Sequence, residues 1–188
     1  GAPAPMLQDV GSTQSGGGDF TLAGNGTFIY LAGKASLEGY PISWVESGGK
    51  TTQPLHAPPG RYTNPRFSPD GKRLAFSMDP GKGSSDIWVK DLDHDTATRL
   101  SFLSGVNDYP LWTPDGTTIV FRSLNQAAPG LYAIRADGSG EATRLTEVGQ
   151  FPYSFSPDGK RLATFHRRNS SNSDIFMLPV EADSGPGG

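Results

Sequence analysis

The sequence has no cysteine in 188 residues and only three histidines, His56, His94 and His166. The first absence excludes a disulfide framework and any thiolate metal site. The histidines fall in different parts of the chain, so no histidine metal centre is expected from them. No run of 18 apolar residues occurs, so no transmembrane helix is present in the sequence. No basic segment followed by an apolar stretch opens the chain, so no signal peptide is legible in it. Basic charge is not in surplus: 16 Lys and Arg stand against 19 Asp and Glu, a net charge of −3, the wrong sign for a nucleic-acid footprint. Helical periodicity is missing too, since no 11-residue window offers a convincing amphipathic helix.

What the sequence has in excess is glycine (25) and proline (16), the punctuation of a chain with many turns. It also repeats itself. "RFSPDGKRLAFS" (66–77) recurs as "SFSPDGKRLATF" (154–165), more weakly as "LWTPDGTTIVFRS" (111–123), and faintly as "TLAGNGTFIYLAG" (21–33). The turn glycines Gly26, Gly71, Gly116 and Gly159 are spaced 45, 45 and 43 residues apart. A second marker, the aromatic series Trp44, Trp88, Tyr132 and Phe176, steps by 44 each time. A third, "TRL", appears at 98–100 and 143–145. A period near 44 fits one four-stranded propeller blade.

Within a repeat the apolar residues alternate with period two, as in strands. "SPDG" is a turn in which Pro69 presets φ, Asp70 accepts hydrogen bonds from the turn backbone and Gly71 takes positive φ. In repeat two the strands are expected near 64–68, 72–78, 86–91 and 96–101. A sheet apolar on both faces needs a neighbour on each side, which radial stacking supplies. The expectation is therefore an all-β propeller of four four-stranded blades, about 19–56, 64–101, 109–147 and 152–180. "MLQDVG" (6–11) resembles "RLTEVG" (144–149), which suggests that residues 6–10 supply the last blade's outer strand. The chain then closes alone as a four-blade ring, pairs into an eight-blade homodimer, or is a slice of a longer array. The homodimer is slightly favoured, because a wider ring suits the packing angle of strongly related blades.

The run "FSPDGKRLAFS…DIWVKDLD…TRLSF" resembles the TolB-like (WD40-like, PD40) β-propeller repeat family over about residues 19–180. A narrower likeness, carried by "APPGRYTNPRFSPDGKRLAFS", "NDYPLWTPDGTTIVF" and "DGSGEATRLTEVGQFPYSFSPDGKRLA", is to the C-terminal propellers of bacterial membrane-anchored serine/threonine kinases. That resemblance implies an extracytoplasmic (periplasmic or cell-surface) module that binds or senses something, and a chain cut from a larger propeller. The kinase's own Gly-rich loop, HRD and DFG motifs are absent.

Chemistry is sparse. No G-x-S-x-G elbow occurs, "DPGKGSS" lacks the spacing of a phosphate loop, and no cofactor or catalytic residue is expected. "DLDHD" (91–95) gathers three acids and a histidine but lacks the glycine and terminal Glu of a calcium loop; it reads as a solvated hairpin turn. The recurring aromatics, with Phe67, Trp112 and Phe155, read as packing between blades.

Function in such a scaffold falls to what the repeat does not dictate. Two segment sets differ between repeats at one rim. One contains Tyr62, Asn64, Asn107, Asp108, Tyr109, Gln150 and Tyr153, whose aromatics and amides suit a protein or peptide partner. The other includes His166, Arg167 and Arg168, a basic cluster suited to carboxylates. The reading is a non-enzymatic binding module, with a hydrolase or lyase at the channel mouth as the alternative.

Overall fold

The computed structural model describes residues 20–22, 28–31, 42–45, 51–54, 58, 60–167 and 173–180. Every strand pairing among the described residues is antiparallel. The first sheet comprises β1 (Phe20–Leu22), β2 (Phe28–Leu31), β3 (Ile42–Val45) and β4 (Thr51–Pro54). The second comprises β5 (Arg61–Phe67), β6 (Arg73–Asp79), β7 (Asp86–Asp91) and β8 (Thr96–Arg99). The third comprises β9 (Asn107–Trp112), β10 (Thr118–Ser123), β11 (Gly130–Arg135) and β12 (Thr143–Arg144), and the fourth β13 (Phe151–Phe155), β14 (Arg161–Arg167) and β15 (Ser173–Pro179). Each sheet is a meander in chain order. First strands touch from sheet to sheet, β1 on β5, β5 on β9 and β9 on β13.

Three boundaries differ from expectation. First strands begin earlier, at Arg61 and Asn107, because each carries a bulge that lengthens it. Of "RLTEVG", only Arg144 lies in a strand; Leu145 and Thr146 instead donate their amides to the Leu131 carbonyl. β14 continues through Arg167 into what reads as loop in sequence. The expected outer strand at residues 6–10 lies outside the described residues.

The repeated phrase builds the same hairpin each time. The Gly71 amide donates to the Ser68 carbonyl at 2.9 Å. Ser68 Oγ donates to Asp70 Oδ1 at 2.5 Å, and the Lys72 amide donates to the same oxygen at 3.0 Å. Thr113–Asp115–Thr117 and Ser156–Asp158–Lys160 make the corresponding bonds. Gly71, Gly116 and Gly159 hold φ of 70°, 69° and 71°, the left-handed region that glycine enters without steric cost. These bonds to the ionised carboxyl hold Asp70, Asp115 and Asp158 below the usual carboxylate range. The turns also interlock: a Cβ on Gly116 would lie 3.4 Å from Pro69 Cδ, and one on Gly159 3.7 Å from Pro114. Arg73 Nη2 donates to the Gly116 carbonyl at 2.7 Å, and its guanidinium lies over Trp112.

Alternation along the strands gives the second and third blades two apolar faces, each packed on a neighbouring blade. Leu74, Phe76 and Met78 pack back on Ile42 with Tyr62. Ala75, Ile87 and Val89 face forward onto Ile119, Phe121, Tyr132 and Ile134 of the third blade. Val120, Leu131 and Ala133 face forward again, onto Leu162, Leu178 and Phe155 of the fourth. The aromatic series follows suit where its side chains are described: Tyr132 is buried, and Trp88 and Phe176 are half-buried.

Among the described residues one buried core position carries a charged side chain. Lys90 is 1% exposed, where the next two repeats carry Ile134 and Leu178. Its ammonium donates to the Asp95 carbonyl at 2.7 Å and pairs with the Asp95 carboxylate. Asp95 itself sits at φ 55° in the turn between β7 and β8. Its own hairpin thus supplies a counter-charge, which a buried ammonium requires.

Candidate functional site

The first strands of the second, third and fourth blades are each bulged at one place. Register slips occur between Thr63 and Arg66, at the corresponding point of β9 opposite Val120–Arg122, and between Pro152 and Ser154. Asn64 and Tyr109 occupy the bulge at φ 55° and 54°, each followed by proline. Asparagine visits this region readily, whereas for tyrosine it is uncommon. Because both repeats share the conformation, the bulge belongs to the blade; what varies is the side chain it re-aims.

At the third blade this variation assembles a cluster. Asp108 and Arg122 are cross-strand partners. Arg122 donates from Nε to Asp108 Oδ1 at 2.7 Å and from Nη2 to Oδ2 at 2.5 Å. Both side chains are nearly buried, 12% and 13% exposed. The guanidinium lies 4.9 Å from the Tyr109 ring and 4.0 Å from the Phe151 ring, and those two rings meet edge-on at 4.9 Å. Phe151 continues to Phe165 at 5.7 Å and Phe165 to Tyr153 at 6.0 Å. Burial pushes the Asp108 carboxyl above its ordinary range, against the hydrogen bonds and charge of Arg122 that pull it down. An arginine clasped between aromatic faces, one edge committed to a carboxylate, leaves its Nη1 edge for a carbonyl or carboxylate from outside.

The structure sorts the sequence candidates. It brings Asp108 and Tyr109 together with Tyr153 through this chain of rings. Gln150 lies close by in sequence, accepting from Thr164 Oγ1 at 3.1 Å. Tyr62, Asn64 and Asn107 are buried rather than displayed. Tyr62 packs on Phe76, and burial pushes its hydroxyl up to about 12. Asn107 donates from Nδ2 to the Ser85 and Leu103 carbonyls at 2.9 Å each, tying β9 to the preceding loops. The basic cluster divides, because His166 and Arg167 are consecutive on β14 and strand alternation sends them to opposite faces; His166 is half-buried and Arg167 exposed. Arg168 lies outside the described residues. Arg122 and Phe151 were missed. The legible signal was an opposite-charge pair, Asp108 and Arg122, where the other repeats have Thr63 with Ser77 and Phe151 with Phe165.

At the opposite end of the blades, a cleft of about 220 Å³ between the second and third sheets is lined by Arg73, Asp91, Thr96, Thr98 and Asp137. Asp91 is taken by the amides of Asp93 and His94, and Asp137 by Arg135 and Ser139. His94 is well exposed, consistent with a solvated turn at 91–95. Among the described residues no group of three or more His, Asp or Glu could hold a metal ion, and no helix is long and apolar enough to cross a membrane.

Successive antiparallel meanders, packed face to face and touching through their first strands, define a β-propeller architecture. The chain belongs to the PD40 family, the TolB beta propeller domain, whose model matches residues 40–184. It is 27% identical over 186 residues to the uncharacterized protein Atu1656 of Agrobacterium fabrum, covering 97% of this chain and 61% of that one. A solved structure from Agrobacterium tumefaciens, described as a TolB-type protein, superposes with a TM-score of 0.70 at 24% identity, over 86% of this chain and 60% of that one. TolB from Acinetobacter baumannii superposes with a TM-score of 0.66 at 26% identity, over 81% of this chain and 38% of its own. The chain thus spans about three-fifths or less of these relatives. The narrower likeness to kinase propellers finds no counterpart in these matches.

Proposed function

We propose that the chain is a non-enzymatic recognition segment of an extracytoplasmic TolB-type propeller, taking an extended segment of a protein partner at the rim between the third and fourth blades. The observation that carries this reading is the Arg122–Asp108 pair held between Tyr109 and Phe151. Rigid aromatics beside a positioned arginine are the groups on which binding energy concentrates at protein interfaces. The pairing of Arg122 with Asp108 fixes the guanidinium before a partner arrives, so little side-chain entropy is lost on binding.

The test is selection from a peptide display library on the full chain, followed by titration of the enriched peptides against Tyr109→Ala and Arg122→Gln. Loss of at least roughly tenfold in affinity, the scale of about 1.4 kcal/mol, is expected for both. Peptides that bind both variants as well as the parent would sink the reading. So would turnover of ester, peptide or glycoside substrates abolished by a single rim substitution, which instead supports a hydrolase or lyase at the channel mouth.

A further inference from the structure

Towards the hairpin end of the junction between the second and third blades, the forward face of the second sheet turns polar. Cross-strand register sets two rows across that face: Ala75, Val89 and Thr98 form one, and Arg73, Asp91 and Thr96 the other. Ala75 and Val89 belong to the cluster packed on the third blade. The second row borders the cleft of about 220 Å³, together with Ala136 and Asp137. The turn after β11 walls it on the other side: a Cβ on Gly138 would lie 3.5 Å from Leu100 Cδ2 and 3.9 Å from Thr98 Cγ2. At the position of Arg73 and Asp91 the third blade puts Thr118 opposite Arg135, and the fourth puts Arg161 opposite Pro179. The scaffold therefore does not require this polar row.

We propose that the cleft is a saccharide-binding site, taking a neutral sugar through adjacent free hydroxyls. Its hydrogen-bonding groups are held in place but not used up. Arg73 lies over Trp112 and donates from Nη2 to the Gly116 carbonyl at 2.7 Å; among the described residues nothing accepts from its Nε or Nη1. Asp91 takes the amides of Asp93 and His94 and the His94 ring nitrogen all on Oδ1, which leaves Oδ2 as an acceptor. The bonds from His94 hold this carboxyl below the usual carboxylate range, so at neutral pH it accepts and does not donate. The Thr96 and Thr98 hydroxyls make no hydrogen bond among the described residues and can serve in either sense. Asp137 is already spent on Arg135 and Ser139. The cleft thus suits a ligand that donates to Asp91 and accepts from Arg73, two side chains whose Cβ atoms stand about 5 Å apart across the strands. Neighbouring sugar hydroxyls do both, and the C–H face of the ring covers Val89 and Ala136. Charge disfavours the other small ligands with this pattern. One guanidinium stands beside two carboxylates, Asp91 and Asp137, so an anion meets no net positive charge. A free amino acid would depend on ion pairs at the surface, which contribute little. The cleft is at the opposite end of the blades from Arg122 and is independent of the rim reading.

The test is an NMR titration of the isotopically labelled full chain. Neutral trisaccharides of glucose, mannose, galactose and N-acetylglucosamine are the probes, and glycine is the zwitterionic control. At least one trisaccharide is expected to give saturable shifts at the amides of Asp91, Thr96, Thr98 and Asp137. Asp91→Asn keeps an oxygen for the turn amides but replaces the free oxygen by an N–H donor. It should weaken that binding roughly tenfold or more, the loss of one charge-assisted hydrogen bond. Thr98→Val keeps the shape, removes a hydroxyl and should weaken binding roughly threefold or more. Unchanged spectra away from the cleft verify that both variants fold. Absence of saturable shifts with every trisaccharide overturns the proposal, as does sugar binding that both variants retain. Glycine saturating these amides where no sugar does would assign the cleft to a zwitterion and overturn it too.

Discussion

Ile87 and Ile175 are the same residue at the same point of the repeat, one 0% and the other 78% exposed. Truncating each to alanine separates burial from everything the repeat shares. Ile87→Ala removes three carbons from the buried cluster that Ile87 forms with Ala75, Leu100, Phe121 and Tyr132, among others. At about 0.8 kcal/mol per buried methylene, the transfer contribution is roughly 2.4 kcal/mol, and the cavity brings the loss to about 3–4 kcal/mol. Ile175→Ala forfeits only strand propensity, about 0.5–1 kcal/mol. The two variants should therefore differ by about 2–3 kcal/mol. Urea unfolding followed by tryptophan fluorescence and by circular dichroism measures this, with coincident transitions checking that one free energy suffices. In thermal melts the difference amounts to roughly 4–12 °C. Equal losses within about 0.5 kcal/mol would refute the reasoning, since the open face would then be as well packed as the closed one.

Two further outcomes follow from local structure. Tyr62 has its hydroxyl buried without a hydrogen-bond partner and its pKa pushed up to about 12 from an ordinary 10.0. The native state therefore holds a proton that the unfolded chain releases first. The contribution is intact below pH 10 and is lost as pH rises through 12, on the order of 2 kcal/mol. Alkaline unfolding monitored by circular dichroism should show this loss, and Tyr62→Phe should shrink it while leaving neutral-pH stability equal or higher. Gly116→Ala places a Cβ at φ 69°, in contact with Pro69, and should cost about 1–2 kcal/mol in urea unfolding. A neutral result would mean that the turn relaxes out of the left-handed region.

The sequence alone determined the blade. Its period, its SPDG hairpin and its alternating strands are local properties, set by φ preferences and by which residues recur every 44 or so positions, so they are legible without neighbours. The strands at 73–79 and 86–91 are read within a residue for that reason. Burial of Trp112 and of the Tyr132 position was legible too, because a residue required in every repeat is required by packing. What lay beyond the sequence is how a bulge turns a side chain. Tyr62 and Asn107 look like rim residues, but they are buried, whereas Tyr109 is half-buried against Phe151 of the next blade. Only the tertiary structure decided that Arg122, distant in sequence from Phe151, stacks on it across two blades. It alone decided that Ile175, which shares its Ser-Asp-Ile context with Ile87, stands uncovered. Burial is a property of the neighbouring sheet, and a repeat that reads the same in every blade carries no record of which neighbour is there.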